Sequence, residues 1–340
     1  MKAFAKWLVP MILMASLTVF IGCSDDDDSS DNNNPPATTA FQTMAAWGDS
    51  ILGSTKNITA DVLWTEMNDG DATQPYIISI RSLADDTVRG HIPGAHHWDA
   101  ADLVNYRADL PTDKKIVVYC YTGQTASFAT SYLNLIGLNA YNLKWGFCSW
   151  TSDTAQTGAG GGWYTLTPGG QQLETTNHPL TAEYAFPNPS ASGSAIDMFV
   201  SRISLQLTAS PVNWKMKTAA DVYTNLNDGD ASNDWFLLCY WPEANYNAGH
   251  IPGSYRFSPG SLGLAENLKY IPTDRPVVVY CFTGQTSMQM DAYLNALGYD
   301  AYSMRMGMNT VTDDPAILGA NLWTDLTPTY PVETGAIAIR

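Results

Sequence analysis

The chain carries a long internal repeat, and this repeat limits its possible architectures more than any other feature. It aligns LPTDKKIVVYCYTGQTASFATSYLNLIGLNAYNLKWG at 110–146 with IPTDRPVVVYCFTGQTSMQMDAYLNALGYDAYSMRMG at 271–307, and GHIPGA at 90–95 with GHIPGS at 249–254. Agreement at separate places with one spacing of about 160 residues indicates a duplicated domain. A chain of 340 residues, 45% of them hydrophobic, can fill two cores. We therefore predict two homologous domains.

Each repeat unit alternates helical and strand patterns. A helix is predicted after Thr59 and again after Thr218, followed by an Asn-Asp-Gly-Asp turn and a short apolar strand, YIISI at 76–80 or WFLLCY at 235–240. A second β-branched strand then leads into a Gly-containing loop and a further helix. Such alternation favours a parallel sheet covered by helices. The predicted fold class is α/β, with two tandem domains that each hold a parallel sheet flanked by helices.

The N-terminus has the pattern of a secretory signal peptide. Lys2 and Lys6 precede an apolar run at 7–21, and Gly22 stands before Cys23. The ending VFIGC resembles the lipobox of bacterial lipoproteins, with Phe where Leu is usual, and this resemblance implies that Cys23 is lipidated as the first mature residue. An uncleaved membrane anchor is the alternative. Both interpretations place the domains in the cell envelope, lipid-anchored or membrane-anchored and either periplasmic or surface-exposed.

The segment after Cys23 is acidic and polar, and it has no large apolar side chain, which is typical of a solvated tether. WYTLTPGG, which contains Trp163 and Tyr164, has a counterpart in LWTDLTPTYP near the C-terminus, so part of the linker is expected to pack back on the first domain. The predicted organisation is a signal peptide at 1–22, a tether at 23–40, domain 1 at 41–157, a linker at 158–194 and domain 2 at 195–340.

The charge balance excludes one class of partner. The formal net charge is −16, although only 15% of residues are charged. Nucleic-acid binding requires basic patches, so no nucleic-acid partner is expected. Apart from Cys23, the chain has Cys120, Cys148, Cys239 and Cys281, which outside the cytoplasm could form two disulfides.

Two of these cysteines occupy equivalent places in the repeat. Cys120 and Cys281 each follow a predicted parallel strand and precede a loop that opens a helix. In such a place several backbone N–H groups and the helix dipole favour a thiolate, and the same cradle stabilises a persulfide or a bound oxyanion. Gly123 and Gly284 allow the loop to curl. A Thr two residues later in each loop is expected to donate its hydroxyl and to cap the helix.

Each unit resembles a rhodanese domain, because of GHIPGA and GHIPGS, the strand-loop-helix thiols, and the pattern C-x-x-G-x-T. The resemblance implies a sulfurtransferase that needs no metal or organic cofactor. It takes sulfur from a small anionic donor such as thiosulfate or a mercapto acid, holds it as a persulfide, and passes it to cyanide, a thiol or a protein. It also implies that Cys120 and Cys281 carry the sulfur. The implied substrate-binding cradles are Tyr121, Thr122, Gly123, Gln124 and Thr125 in domain 1, and Phe282, Thr283, Gly284, Gln285 and Thr286 in domain 2.

The cysteine loops of this chain lack the basic residue that the family pattern has. Many rhodaneses place Arg directly after the cysteine, where this chain has Tyr121 and Phe282. The loops also lack the final Arg with which related phosphatases grip phosphate, so sulfur transfer is favoured over phosphate hydrolysis. Lys144 and Arg305 follow the next strand, whose C-terminal edge bears the cysteine if the strands are parallel. We hypothesise that they steer anionic donors; solvated surface cations are the alternative.

Two other functions remain open. The domains could be inactive rhodanese-like modules that bind anions, peptides or other envelope proteins. Alternatively, Cys148 could act as a resolving thiol for Cys120 in thiol-disulfide chemistry. His91 and His250 are interpreted as structural parts of the GHIPG turns. No metal site is predicted at the adjacent His96 and His97, because no further Cys or His stands at ligand spacing.

Overall fold

The computed structural model describes residues 38–52, 56–70, 74–324 and 329–340. The predicted signal peptide, Cys23 and most of the predicted tether lie outside these residues. The α-helices are α1 Ala40–Leu52, α2 Ala60–Asn68, α3 Leu83–Val88, α4 Asp102–Asn105, α5 Gln124–Leu135, α6 Thr154–Thr157, α7 Ala195–Leu207, α8 Ala219–Leu226, α9 Glu243–Ala248, α10 Gln285–Leu297 and α11 Pro315–Leu318. The strands are β1 Asn57–Ile58, β2 Tyr76–Ser79, β3 His96–His97, β4 Ile116–Tyr119, β5 Ala140–Leu143, β6 Met216–Lys217, β7 Phe236–Tyr240, β8 Tyr255–Phe257, β9 Val277–Tyr280, β10 Ala301–Met304 and β11 Ala338–Ile339.

The strands form two sheets in which every pair of named strands is parallel. Among the described residues, the first sheet has the order β1-β5-β4-β2-β3-β11 and the second has the order β6-β10-β9-β7-β8. In both, the strand that ends at a loop cysteine lies in the interior of the sheet, paired on both sides. All four residues of β4 and of β9 are buried, as expected for β-branched strands covered on two faces. The predicted α/β class with two parallel sheets is confirmed.

The segment that trails each domain packs on the other domain. The C-terminal strand β11 joins the first sheet through β3, and Glu333 exchanges backbone hydrogen bonds with His91. In the same way, Glu174 exchanges backbone hydrogen bonds with His250 of the second domain. The early part of the linker packs on domain 1, as predicted, because the Trp163 indole N–H donates to Thr122 O at 2.9 Å. The two domains are therefore joined by reciprocal tails.

Among the described residues, no helix has the length and apolar character that crossing a bilayer requires.

Helices α5 and α10 pack against each other and join the two domains. The Ser131 hydroxyl of α5 donates to Gln289 O of α10 at 2.8 Å. Asp291 of α10 is completely buried; its Oδ1 accepts from the Asn295 side chain at 2.7 Å, and its Oδ2 has no partner within the described residues. Burial raises the pKa of this carboxyl well above its usual range, with a smaller opposing effect from Lys215.

We expect Asp291 to reduce stability as the pH rises. Between the unfolded and the raised folded pKa, the folded state binds more protons than the unfolded state, so the free energy of unfolding falls by about 1.4 kcal/mol per pH unit. Asp291→Asn should remove this fall, whereas the exposed Asp313→Asn should keep it. Urea unfolding from pH 4 to 8 measures the slope. Equal slopes in the Asp291→Asn variant and the parent would contradict the assignment.

Candidate active sites

The two loop cysteines lie at the C-terminal ends of β4 and β9, directly before the loops that lead into α5 and α10. Cys120 is 2% exposed and Cys281 is 3% exposed. Cys148 and Cys239 are also buried, and none of the four cysteines of the described residues forms a disulfide. Equivalent placement of two reduced cysteines at parallel strand ends agrees with the duplicated motif.

Each loop cysteine receives one backbone hydrogen bond at sulfur. The Gly123 N–H donates to Cys120 Sγ at 3.1 Å, and the Ser287 N–H donates to Cys281 Sγ at 3.3 Å. The Cys281 thiol also lies 3.6 Å from Ser287 Oγ. Both donors belong to the N-terminal end of a helix, where the dipole favours negative charge. The sites therefore provide an amide donor and a helix N-terminus for a thiolate, although fewer N–H groups point at each sulfur than expected.

The helix starts differ from the sequence-based expectation. Helix α5 begins at Gln124 and α10 at Gln285, so each loop has only three residues between the cysteine and the helix. The N-cap residues are Gly123 (φ 80°) and Gly284 (φ 74°), and neither helix has a side-chain cap. Capping by Thr125 was therefore a wrong prediction, and the same holds for its counterpart Thr286. A left-handed Gly replaces the hydroxyl cap because the loop turns too sharply for an extended N-cap residue.

A second glycine, Gly146 in domain 1 and Gly307 in domain 2, lies in close contact with the backbone of each cysteine loop. The Phe147 N–H donates to Cys120 O at 2.9 Å, so the chain after β5 runs against the loop. At Gly146 (φ 62°) a Cβ atom would meet Gly123 N and lie 2.7 Å from both Cys120 O and Thr122 N. Gly307 (φ 57°) has the same position behind the Cys281 loop, where a Cβ would lie 2.8 Å from Phe282 C. These close approaches fix the loop backbone.

The loop glutamines reach across to the other domain. Gln124 Nε2 donates to Thr283 O at 2.9 Å, and its Oε1 accepts from the Met306 N–H at 3.0 Å. In the reverse direction, Gln285 Oε1 accepts from the Trp145 N–H at 3.0 Å. Both glutamines are almost completely buried. Their side chains therefore hold the two cysteine loops next to each other and hydrogen-bond between the domains.

The residue that follows each cysteine packs differently in the two domains. The Tyr121 hydroxyl donates to Asp85 at 2.6 Å, and the Arg81 guanidinium lies 5.1 Å from its ring. Arg81 is buried; it pairs with Asp86 at 3.5 Å. In domain 2 the corresponding Trp241 packs on the Phe282 ring, with centroids 4.8 Å apart. A cation therefore supports the first loop from beneath, and sequence reasoning did not assign Arg81 this place.

An aromatic cluster covers the junction between the loops. The cluster consists of Trp145, Trp163, Tyr164 and Trp323, with Met306 and Cys148 packed against it. The equivalent residues Trp163 and Trp323 stack with centroids 5.5 Å apart. The Trp163 indole N–H donates to Thr122 O, so this cluster packs against the Cys120 loop. Since Cys120 is only 2% exposed, we hypothesise that this cluster limits the access of reagents to its thiol.

We expect Trp163→Ala to open this cover. Removing the indole deletes the hydrogen bond to Thr122 and a fully packed ring, so alkylation of Cys120 by iodoacetamide should accelerate by roughly tenfold, about 1.4 kcal/mol in opening free energy. Trp64→Ala, which removes a ring that packs on Trp150 and Tyr330 and does not belong to this aromatic cluster, is the control. Peptide mass mapping measures the rate at each cysteine. Equal acceleration in both variants would point to global unfolding instead.

The two cations proposed from the sequence lie at the cysteine edge of the sheets, each turned toward the other domain. Lys144 Nζ donates to Asn321 Oδ1 at 3.2 Å, and Asn321 follows α11, the last α-helix of domain 2. Burial lowers the pKa of Lys144, and the charge of Cys281 opposes that shift. Arg305 is exposed and lines a groove with Gly162 of the domain 1 tail. The predicted edge is confirmed; the steering role stays a prediction.

Cys148 borders the first loop. Its N–H donates to Tyr121 O at 3.2 Å, and a Cβ at Gly162 would lie 2.8 Å from its sulfur. Burial raises the pKa of the Cys148 thiol to about 11, and the negative charge of Cys120 contributes in the same direction. Asn309 takes its place in domain 2, so the position equivalent to Cys148 holds no thiol there.

A parallel sheet flanked by helices, with a cysteine between a strand end and a helix N-terminus, is the architecture of rhodanese domains. This chain contains it twice. The family model described as Rhodanese-like domain matches residues 59–153 and 218–314. The chain therefore belongs to the rhodanese-like domain family and carries that domain in tandem.

Individual relatives match over short stretches. The chain is 32% identical over 62 residues to thiosulfate sulfurtransferase GlpE of Pseudoalteromonas translucida, covering 18% of this chain and 59% of that protein. It is 36% identical over 64 residues to GlpE of Pseudomonas paraeruginosa, covering 18% and 58%. The chain thus spans less than two thirds of these relatives. Among solved structures, thiosulfate sulfurtransferase from Pseudomonas aeruginosa is similar at 17% identity and a TM-score of 0.29, covering 86% of this chain and 49% of that one.

Proposed function

We propose that the protein is a sulfurtransferase that carries sulfane sulfur as a persulfide on Cys120 and Cys281. The observation that supports this proposal is the amide donor at each sulfur, Gly123 N–H on Cys120 and Ser287 N–H on Cys281, at the N-terminus of a helix. Such donors stabilise a thiolate nucleophile and the anion formed in each transfer step. The sulfurtransferase names of the GlpE relatives support the same reaction class.

The proposed reaction has two displacements. In the first, the thiolate attacks the outer sulfur of an anionic donor such as thiosulfate or a mercapto acid. With thiosulfate the S–S bond breaks, sulfite leaves with the electron pair, and the cysteine becomes a persulfide. In the second, cyanide, a thiol or a protein nucleophile attacks the terminal sulfur, and the cysteine leaves as a thiolate. Every electron pair is accounted for without a metal or an organic cofactor.

We also propose that the domains work in the cell envelope, held to a membrane by lipid on Cys23. The support is the sequence alone, namely the VFIGC motif and the polar tether after it. Metabolic labelling with an alkyne fatty acid tests this assignment, with Cys23→Ala as the control. Label on the parent and none on the variant is the expected result, and an unlabelled parent would exclude the anchor.

Thiocyanate formation from thiosulfate and cyanide tests the transfer reaction. Turnover above the uncatalysed rate is expected if the loops carry sulfur. Tight thiosulfate binding without turnover would favour the alternative of an inactive rhodanese-like binding module. A second candidate is thiol-disulfide chemistry between Cys120 and Cys148, because Cys148 borders the Cys120 loop. Its raised pKa makes it a weak nucleophile near neutral pH, so sulfur transfer is the better supported function.

Lys144 is expected to serve the Cys281 site of the other domain. Replacing it with Met in a Cys120→Ser background, where only Cys281 reacts, should raise the KM for thiosulfate by roughly fivefold to tenfold with kcat little changed, because an attractive charge near the anion is lost. The same change in a Cys281→Ser background should have a smaller effect. Lys114→Met, at the opposite end of β4, is the control. An unchanged KM in both backgrounds would remove Lys144 from the site.

A further inference from the structure

Three potential metal ligands meet where the tail of domain 1 crosses domain 2. Glu174 and His178 belong to this tail, and His250 belongs to the GHIPG turn of domain 2. Their ligand atoms all lie within 4.8 Å of one another. Glu174 Oε1 lies 2.8 Å from His178 Nε2 and 3.7 Å from His250 Nε2. None of these three residues belongs to a cysteine loop, and the proposed sulfur transfer makes no use of them.

The orientation of His250 leaves one ring nitrogen directed at the cluster. Its Nδ1 lies 2.7 Å from Tyr246 O, and its ring stacks on the Tyr246 ring with centroids 3.6 Å apart. An Nδ1–H donated to this carbonyl leaves a lone pair on Nε2. However, Nε2 lies 3.0 Å from a second acceptor, Thr176 O. Nε2 therefore faces two oxygen acceptors, the Thr176 carbonyl and the Glu174 carboxylate, at the side of the ring that meets the cluster.

The spacing suits a metal ion of the zinc class. Zinc binds imidazole nitrogen at about 2.0–2.1 Å and carboxylate oxygen at about 2.0–2.2 Å, so neighbouring ligands of a tetrahedral site are about 3.3–3.5 Å apart. The separations of 2.8 and 3.7 Å bracket this value. The carbonyl–Nδ1 contact of His250 is the kind of second-shell bond that fixes a metal-binding tautomer. The side chains of Glu174 and His178 are 24% and 31% exposed, which leaves a path for an ion.

Domain 1 offers an internal comparison. His91 Nδ1 lies 2.9 Å from Asp86 O, and its Nε2 lies 3.7 Å from Glu333 Oε2, as in the other GHIPG turn. The residue four places after Glu333 is Ile337, whereas the residue four places after Glu174 is His178. The first domain therefore repeats the His–Glu pair and lacks the third ligand.

We propose that Glu174, His178 and His250 bind a divalent transition metal ion, with Zn²⁺ as the best match. Two imidazoles and one carboxylate are ligands that this class of ion prefers. Bound there, the ion ties the tail of domain 1 to the GHIPG turn of domain 2. Because an unfolded chain does not hold these ligands together, binding stabilises the crossed-tail arrangement by mass action.

Titration of untagged, metal-free protein with Zn²⁺, in competition with a chromophoric chelator, tests the site. One equivalent should bind, and His178→Ile, which copies domain 1, should weaken the affinity at least about a hundredfold. Glu174→Gln should also weaken it, while the matched change Glu333→Gln should not. At a hundredfold excess of Zn²⁺ over Kd, Tm should rise by a few degrees, about 3 or more, in the parent and in Glu333→Gln but not in His178→Ile.

Co²⁺ substitution identifies the ligands. Visible d–d bands without a thiolate-to-cobalt charge-transfer band are expected, since the proposed ligands are nitrogen and oxygen. Three results would overturn the proposal: no stoichiometric binding; unchanged affinity in His178→Ile; or a charge-transfer band that assigns the ion to the cysteines. His178→Ile changes a partly exposed residue, and circular dichroism of the metal-free variant verifies its fold.

Discussion

Replacing both Cys120 and Cys281 with serine is expected to lower thiocyanate formation by on the order of a thousandfold or more, because the hydroxyl is not ionised near neutral pH and cannot form a persulfide. Each single variant should retain the turnover of the other site. The two residual rates should differ, because the Cys120 loop packs against Arg81 and Cys148, whereas Cys281 lies beside Ser287 in a domain that has Trp241 in place of this arginine. Initial rates at saturating thiosulfate measure the effect.

Two further cysteine variants complete this test. Cys148→Ser should leave turnover at Cys120 within a factor of about two, and it should prevent any Cys120–Cys148 disulfide under mild oxidation. Cys239→Ala changes a fully buried strand residue, whose pKa burial raises well above the usual range, and should leave kcat unchanged. Full activity of the double loop variant, or its loss in Cys148→Ser alone, would contradict transfer through the loop cysteines.

Gly146→Ala is expected to lower the free energy of unfolding by about 2–5 kcal/mol, the second large effect. The left-handed backbone (φ 62°) costs about 1–2 kcal/mol for a residue with a Cβ, and contact with the loop backbone adds about 1–3 kcal/mol. The added methyl group also pushes on Gly123 N and Cys120 O, so persulfide formation at Cys120 should fall. Gly307→Ala should act in the same way on Cys281.

Gly94→Ala separates the two contributions. Gly94 also has a positive φ (73°), but a Cβ there would meet nothing within 4 Å. This variant should lose only the conformational part, about 1–2 kcal/mol, and should keep both persulfides. Urea unfolding and peptide mapping measure the two effects. If Gly146→Ala costs no more than Gly94→Ala, the backbone contact behind the loop does not carry the energy assigned to it.

The fold and the position of the thiols could be predicted from the sequence because both depend on local patterns. The strand before Cys120 is a β-branched run, and the repeat shows that the same run stands before Cys281. Parallel pairing of β4 with β5 then places Lys144 at the edge that bears Cys120, as predicted. The prediction of the helix caps was wrong because the pattern C-x-x-G-x-T does not show which loop residue adopts a left-handed backbone conformation.

The contacts between the domains could not be predicted in the same way. Gln124 lies within a local motif, but its partners Thr283 and Met306 are on the other domain, and nothing in the spacing indicates such an exchange. The packing of each domain's trailing segment on the other domain could not be predicted from the sequence either. The likeness of WYTLTPGG to LWTDLTPTYP indicated an equivalent role, yet the stacking of Trp163 on Trp323 depends on how the two domains pack.

This packing has a consequence for function. The glutamine bridges hold the two cysteine loops at one interface, and Lys144 of the first domain lies near enough to Cys281 for the charge of the thiolate to affect its pKa. The surroundings of each cysteine loop therefore include residues of the other domain. Separated domains should lose the bridging hydrogen bonds, and domain 2 should also lose the Lys144 cation near Cys281.

Intact-mass spectrometry after incubation with thiosulfate and removal of excess donor tests the persulfide proposal most directly. If both loops carry sulfur, the parent should gain up to two sulfur atoms, Cys120→Ser and Cys281→Ser one each, and the double variant none. Addition of cyanide should remove every adduct. The measurement is repeated with the Trp163→Ala variant, in which Cys120 is expected to be more accessible. No sulfur adduct on either cysteine in the parent or in this variant would contradict the proposal.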